Sequence, residues 1–312
     1  MSPSSKRVVY AAIIANLAIM ICKYVAAFFT RSSAMLAEAF HSSADTLNEF
    51  LLLIGMKRSE RPADELHPFG HGKELYFWSL IVAVFIFGVG GGFSIYDGIL
   101  RIVHLTLSGP AKWNYIVLAV SVMFEGYSWV ISRRVMMSRK RAQESLWHYI
   151  RRSKDPTVFT VFLEDSVALA GIAIAFVGIF LSELLHNPYL DPAASILIGL
   201  LLAAVAIVLA KESGALLLGE SANPERTAHI KDIILAHQKV DAVGDIFTMQ
   251  LGPEQVLLNV DIRFKPGMTT EEIESTIDRI ECEIREKEPF IKRIFIEVDS
   301  LRRRSKQFLP VN

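Results

Sequence analysis

Six polar side chains, Glu38, His41, Ser42, Asp45, Asn48 and Glu49, fall close together in an otherwise apolar stretch. At about 100° per residue in an α-helix they share a sector of roughly 120°. Leu36, Phe40, Leu47, Phe50, Leu51 and Ile54 take the opposite face. His41 and Asp45 are four positions apart, so their side chains stack on one face. A neutral imidazole nitrogen and a carboxylate oxygen are suitable zinc ligands. On a soluble helix, a lone pair at this spacing is ordinarily a hydrogen-bonded contact that glues helices together. In a membrane helix with a whole polar stripe the functional reading is favoured, because ionisable groups at membrane depth are costly and face the bundle interior or a water-filled path.

A second acidic group is the adjacent pair Glu164-Asp165, followed by Ser166. Asp165 shares its face with Val161, Ala168 and Ile172, and Glu164 points about 100° away. One of the two can be a ligand and the other a structural or proton-handling group. The alternative is a hydrated pair near the membrane boundary, since Pro156 begins the segment only about two turns earlier. The loop from Asp64 to Lys73 offers Asp64, His67 and His71 as three hard-to-borderline ligands, framed by glycine and proline. That spacing allows a surface metal site, with solvated histidines as the ordinary alternative. Asn114, Ser121, Glu125, Ser128 and Ser132 lie on one helical face, and Asn16 and Lys23 on another. Glu125 can carry protons or pair with Lys23, and a structural ion pair explains either residue equally well. Asp97 and Asp191 stand near helix ends, where hydration accounts for them.

These groups need elements that hold them at membrane depth. A hydrocarbon core of roughly 30 Å is crossed by about 20 apolar residues in helix. Six segments meet that requirement, approximately 8–29, 34–56, 75–100, 114–133, 158–183 and 190–210. After Lys211 charged residues become dense and no apolar run is long enough to span. The expectation is a membrane all-α six-helix bundle over 1–211 and a cytosolic α+β domain over 212–312 with a dimerisation or regulatory role. The polar, basic first residues and the lack of a clear cleavage site make the first segment a retained membrane helix rather than a signal peptide.

Basic residues set the orientation. Lys6 and Arg7, then Lys57, Arg58, Arg61 and Lys73, then Arg133, Arg134, Arg139, Lys140, Arg141, Arg151, Arg152 and Lys154 all fall on one side. The other side carries only Arg31, Arg101 and Lys112. Both termini and the tail are therefore expected in the cytosol, on the inner membrane if the cell is bacterial. In the tail, Pro224–Val240 suits a helix with Asn223 as its cap, and Val243–Gln250 and Gln255–Phe264 suit strands around Gly252-Pro253. Thr269 caps a helix to about Lys287 with Glu272 as capping-box partner, and Arg293–Val298 alternates as a strand. The order α-β-β-α-β suits an open sheet with its helices on one face.

Composition narrows the partners. The 33 basic and 33 acidic residues of the 312-residue chain balance, which argues against nucleic acid as the main partner. The mean hydropathy of +0.35 points to a lipid bilayer. Cys22 and Cys282, far apart in different kinds of segment, make neither a disulfide framework nor a cysteine metal cluster. Gly88, Gly90, Gly91 and Gly92 sit mid-membrane, where small residues permit close helix packing rather than nucleotide binding. The basic run after the fourth segment is a topology signal that can also contact anionic lipid. An intramembrane metalloenzyme is not expected, for no His-Glu-x-x-His occurs and no nucleophile stands near the His41–Asp45 pair.

The stretch from Ser32 to Asn48, SSAMLAEAFHSSADTLN, resembles helix 2 of the cation diffusion facilitator family. His67-Pro68-Phe69-Gly70-His71-Gly72-Lys73 resembles the family's following loop, and Asp191-Pro192-Ala193-Ala194-Ser195 the start of its helix 6. The resemblance covers nearly the whole chain and implies a homodimeric antiporter that exchanges a divalent metal for protons, with no prosthetic group. It implies a tetrahedral site in the membrane with two ligands each from helices 2 and 5. His41 and Asp45 match the helix 2 pair, Asp165 matches the second helix 5 ligand, and Asp64, His67 and His71 match the loop site. The chain departs from the pattern at Val161, where the family usually has histidine or aspartate; Glu164, Glu38 or a water are the candidate replacements. The adjacent Glu164-Asp165 pair resembles a divergent branch that includes mitochondrial zinc transporter-like members. Zinc leads among the metals, while manganese, cobalt and ferrous iron also fit such ligands. The alternative is a membrane metal sensor or regulator that binds without transporting, which the loss at Val161 favours. The tail has no histidine after His237, and although Glu297 and Asp299 lie at its last strand, no strong zinc site is expected there.

Overall fold

The computed structural model describes residues 3–104, 112–139, 145, 149, 154 and 156–298. The basic residues Lys140, Arg141, Arg151 and Arg152, and Asp299 in the tail, lie outside the described residues. Two compact units form. One comprises the chain to Arg58 with Glu74–Gly214; the other joins the loop Ser59–Lys73 to the chain from Ala215 onward.

The first unit is helical. Its elements are α1 (Pro3–Thr30), α2 (Ser33–Ser59), α3 (Glu74–Phe85), a π-helical segment (Ile86–Gly92), α4 (Phe93–Val103), α5 (Lys112–Arg139), α6 (Pro156–Leu184) and α7 (Leu190–Leu218). Among the described residues, four stretches are long and apolar enough to cross a membrane: Glu74–Val103, Lys112–Ser138, Phe159–Leu184 and Leu190–Leu218. Asn16–Thr30 of α1 is apolar but shorter. α2 has the length, 27 residues, but carries Glu38, Asp45 and Glu49 within it and is not among those four. Of the four glycines expected to permit close packing, Gly91 does so most clearly, since a Cβ on it would lie 3.0 Å from the Gly199 carbonyl oxygen of α7, whereas a Cβ on Gly88 would meet nothing within 4 Å. α7 ends at Gly219, whose φ of +99° turns the chain. The Glu220 N–H reaches the Ala215 carbonyl and the Gly219 N–H the Leu216 carbonyl, a Schellman closure that favours glycine at this position.

The start of α2 is fixed from other helices. Ser32 caps it, its Oγ accepting the Met35 N–H at 3.1 Å. Asp191 of α7 is 2% exposed and accepts the Ser32 hydroxyl and the Ser33 N–H, each at 2.6 Å, and the Ala34 N–H at 3.3 Å. Asp97 of α4 accepts the Ser33 hydroxyl at 2.5 Å and pairs with Arg101 at 3.0 Å. Hydration therefore does not account for Asp97 and Asp191. The free N–H groups of a helix start need acceptors, and carboxylates brought in by packing supply them.

The second unit holds α8 (Pro224–Leu235), β1 (Val240–Gly252), β2 (Gln255–Phe264), α9 (Thr270–Lys287) and β3 (Ile291–Val298). The sheet order is β1-β2-β3, with β1 and β2 antiparallel and β2 and β3 parallel. A parallel pair requires a crossover, and α9 makes it. Val256, Leu258, Val260, Ile262 and Phe264 alternate along β2 into a core completed by Ile230, Ile233 and Ile234 of α8 and Ile280 and Ile284 of α9. The Thr269–Glu272 capping box is formed as expected. The expected helix to Val240 is too long, because Val240 already pairs with Phe264 in the sheet. Three register shifts in β1 break the alternation that marks a strand, which hid its early start. Asn223 stands at the N-cap of α8 but makes no side-chain capping bond.

Candidate metal centre

α2 carries the polar stripe, and three other helices meet it. His41 is 1% exposed, and its Nδ1 lies 3.4 Å from Asp45 Oδ1. Among the described residues, neither ring nitrogen of His41 nor Asp45 Oδ1 has a hydrogen-bond partner. Asn48 Nδ2 donates to Glu164 Oε2 of α6, and Glu164 Oε1 is again without a partner. Asn16 of α1 donates to Glu49 Oε1 at 2.6 Å, leaving Glu49 Oε2 unpartnered. Asp165, 8% exposed, turns instead to α5, where Ser128 Oγ donates to it at 3.0 Å and Ser132 Oγ at 2.8 Å.

Pairing with Lys23 is one of the two roles open to Glu125, but Lys23 takes other partners. Lys23 Nζ donates to Glu38 Oε2 at 3.0 Å and to Ser42 Oγ at 2.8 Å, and the side chains of Lys23 and Glu38 are fully buried. Both partners lie on α2, 15 and 19 positions along the chain, which helical periodicity within α1 does not reveal. Val161 is 38% exposed. The partners of Asp165 and Glu164 were also missed. The sequence shows Ser128 and Ser132 on one polar face with Glu125, but their acceptor, Asp165, sits on another helix.

Among the described residues, Glu38, Asp45, Glu49, Glu125, Glu164 and Asp165 set six interacting carboxyl groups against one ammonium, that of Lys23. Buried carboxylates in low dielectric require a proton, a cation or several donors each. The stripe thus offers imidazole nitrogens and carboxylate oxygens with unused lone pairs in a setting short of positive charge. His41, Asp45, Glu164 and Asp165 are not closed into one tight cluster: among the described residues, the group whose ligand atoms all lie within 4.8 Å is Asp64, His67 and His71.

That second group is built on a tight loop. Asp64 Oδ1 accepts the His67 N–H at 2.6 Å, and its Oδ2 lies 3.0 Å from His71 Nε2. Gly70, at φ +85°, returns the chain so that its N–H reaches the His67 carbonyl at 2.9 Å. The hydrogen bond from His71 and that from the His67 amide hold the Asp64 carboxyl down to about 2, so it is ionised at neutral pH. Asp64 and His67 are half exposed and His71 is buried. Two imidazoles and a carboxylate at this separation fit one zinc-sized ion, since bonds of about 2.0–2.2 Å in a tetrahedron place ligand atoms roughly 3.5 Å apart. The loop rests on the small sheet. A Cβ on Gly72 would meet the Leu251 carbonyl oxygen at 2.4 Å, and the Phe69 ring meets Phe295 edge-on at 6.4 Å between centroids. In the tail, His229 pairs with Glu288 at 3.0 Å and His237 with Glu283 at 2.9 Å.

Apolar spanning helices, a polar stripe short of positive charge and a small α/β unit define an integral, multi-pass membrane protein with cation-binding chemistry. The chain belongs to the cation efflux family: residues 9–218 match the cation efflux transmembrane domain, and residues 222–301 match the cytoplasmic domain of cation efflux proteins. It is 32% identical over 283 residues, 90% of its length, to the mitochondrial proton-coupled zinc antiporter SLC30A9 of Xenopus laevis. It is 32% identical over 271 residues, 86% of its length, to metal tolerance protein C4 of Arabidopsis thaliana. Similarity to the manganese efflux system protein MneP of Bacillus subtilis is 23% identity over 95% of this chain and 96% of MneP. The chain spans 51% of the Xenopus relative and 59% of the Arabidopsis one.

Proposed function

We propose that this protein exports a divalent cation, zinc before manganese, cobalt or ferrous iron, in exchange for protons. It does so as a homodimer of six-span subunits with both termini in the cytosol, in the inner membrane if the cell is bacterial. The observation that carries the reading is the pair of buried His41 and part-exposed Asp45, whose ring nitrogens and Oδ1 have no hydrogen-bond partner among the described residues beside a surplus of carboxyl groups. The names of the Xenopus and Arabidopsis relatives point the same way.

In the inward-open state His41 and Asp45 receive the metal, and Asp165 turns from Ser128 and Ser132 to join them. Glu164, held by Asn48, supplies a further oxygen or carries a proton. Ligation requires a neutral imidazole and ionised carboxylates, so metal entry displaces protons. After the helices rock to open the far side, protons from there reclaim His41 and the carboxylates and the metal leaves. Asp64, His67 and His71 bind a second ion on the cytosolic loop. A sensor that binds without transporting is the second reading; the apolar Val161 and the turn of Asp165 toward α5 favour it.

Flux of zinc, manganese, cobalt and iron into proteoliposomes under an imposed pH gradient separates the two. Metal uptake that follows the gradient supports the antiporter. Binding of every metal without flux overturns it in favour of the sensor.

A further inference from the structure

We infer that Lys23 is a specificity-determining residue that withholds Glu38 from the metal. The inference rests on the reading of His41 and Asp45 as ligands. Glu38 lies on the same stripe, three positions before His41 and seven before Asp45, so all three aim into one sector. Its side chain is fully buried. α6 closes over it: a Cβ on Gly171 would lie 2.5 Å from Glu38 Oε1. A buried carboxylate one helical turn from an imidazole–carboxylate pair is a natural further ligand.

Lys23 prevents that. Its Nζ is bound to Glu38 Oε2 at 3.0 Å and anchored by Ser42 Oγ at 2.8 Å. Among the described residues Glu38 Oε1 has no hydrogen-bond partner, and the ammonium is the one cation bound to this carboxylate. A buried charge needs such a partner, and a divalent ion taking Glu38 through Oε1 would share the carboxylate with the ammonium on Oε2, a like-charge contact that low dielectric makes costly. The donor set is thereby kept at one imidazole with fewer carboxylates. Oxygen-rich sets suit manganese, while a set with imidazole and few oxygens suits zinc. Lys23 thus biases the centre toward zinc without touching the ion.

The test is equilibrium binding of zinc and of manganese to detergent-solubilised full-length protein carrying His71→Ala, so that the loop group does not contribute. In that background Lys23→Met is expected to shift the zinc-to-manganese affinity ratio toward manganese by about tenfold. Lys23→Arg, which preserves the charge, keeps the original ratio, and Lys23→Met with Glu38→Gln restores it. A folded Lys23→Met protein with an unchanged ratio overturns the inference, as does a shift that survives Glu38→Gln. Should Lys23→Met not fold, Lys23→Gln, which keeps a hydrogen-bond donor without the charge, takes its place with the same two outcomes. Absence of metal binding with Lys23 intact overturns the His41–Asp45 reading and this inference together. Intact binding with an unchanged ratio in the variants overturns this inference alone.

Discussion

The two clusters of potential ligands are finished in opposite ways. The loop group Asp64, His67 and His71 is closed: its atoms converge within 4.8 Å, and Asp64 is satisfied by bonds from its own neighbours. The α2 stripe is open. His41, Asp45, Glu49 and Glu164 keep atoms without protein partners, and Asp165 is turned toward two serines of α5. A half-exposed loop has water to complete it, so its geometry stands without an ion. A stripe between helices has no such reserve, so its charge must be completed by protons or a cation. That is the property an exchanger needs at its moving site and does not need at a fixed one.

The largest expected effect follows directly. His41→Ala and Asp45→Ala each reduce metal-coupled proton movement in reconstituted vesicles to the level of empty ones, whereas His71→Ala leaves coupled movement measurable. Full activity in either α2 variant would remove the site assignment and erase the contrast. Next comes the frame that aims the stripe. Asp191→Ala strips acceptors from the start of α2 and is expected to destabilise the protein by about 1–2 kcal/mol. The measure is the midpoint of thermal unfolding in detergent, and an unchanged midpoint would mean that α2 is held elsewhere.

The closed state of the loop can be checked without metal. A depressed carboxyl pKa keeps the charge present above its folded value and lost only as pH falls through it. The carboxyl resonance of Asp64 is therefore expected to show no titration step between pH 5 and 3, the ordinary range being near about 3.9 and the folded value about 2. His71→Ala removes the main bond that holds it down and brings the step back toward that range. The smallest effect lies in the second unit. Thr269→Ala removes the N-cap of α9 and costs about 1 kcal/mol of stability, read in unfolding of the full-length protein, with coupled flux unchanged.

Several features were legible in the sequence because local physics governs them. The α2 stripe follows from helical periodicity, the capping box at Thr269 from side-chain reach, and strand β2 from strict alternation. The closed loop was visible because its three ligands lie within eight consecutive residues. The spans were legible in part: among the described residues four helices have the length and apolarity to cross, and α2, with its polar stripe, is not one of them.

What tertiary structure alone decided are the choices among long-range partners. Periodicity says which residues share a face but not which helix that face meets. Lys23 had an acidic candidate in Glu125, and packing gave it Glu38 and Ser42. Asp191, 158 positions from Ser33, became the acceptor for the start of α2 only because α7 packs there. Asp165 found Ser128 and Ser132 in the same way. The residue types and their order along each helix were determined by the sequence itself. The pairing of their charges was decided between helices, because in a medium without water a buried polar group can pair only with what packing brings within reach.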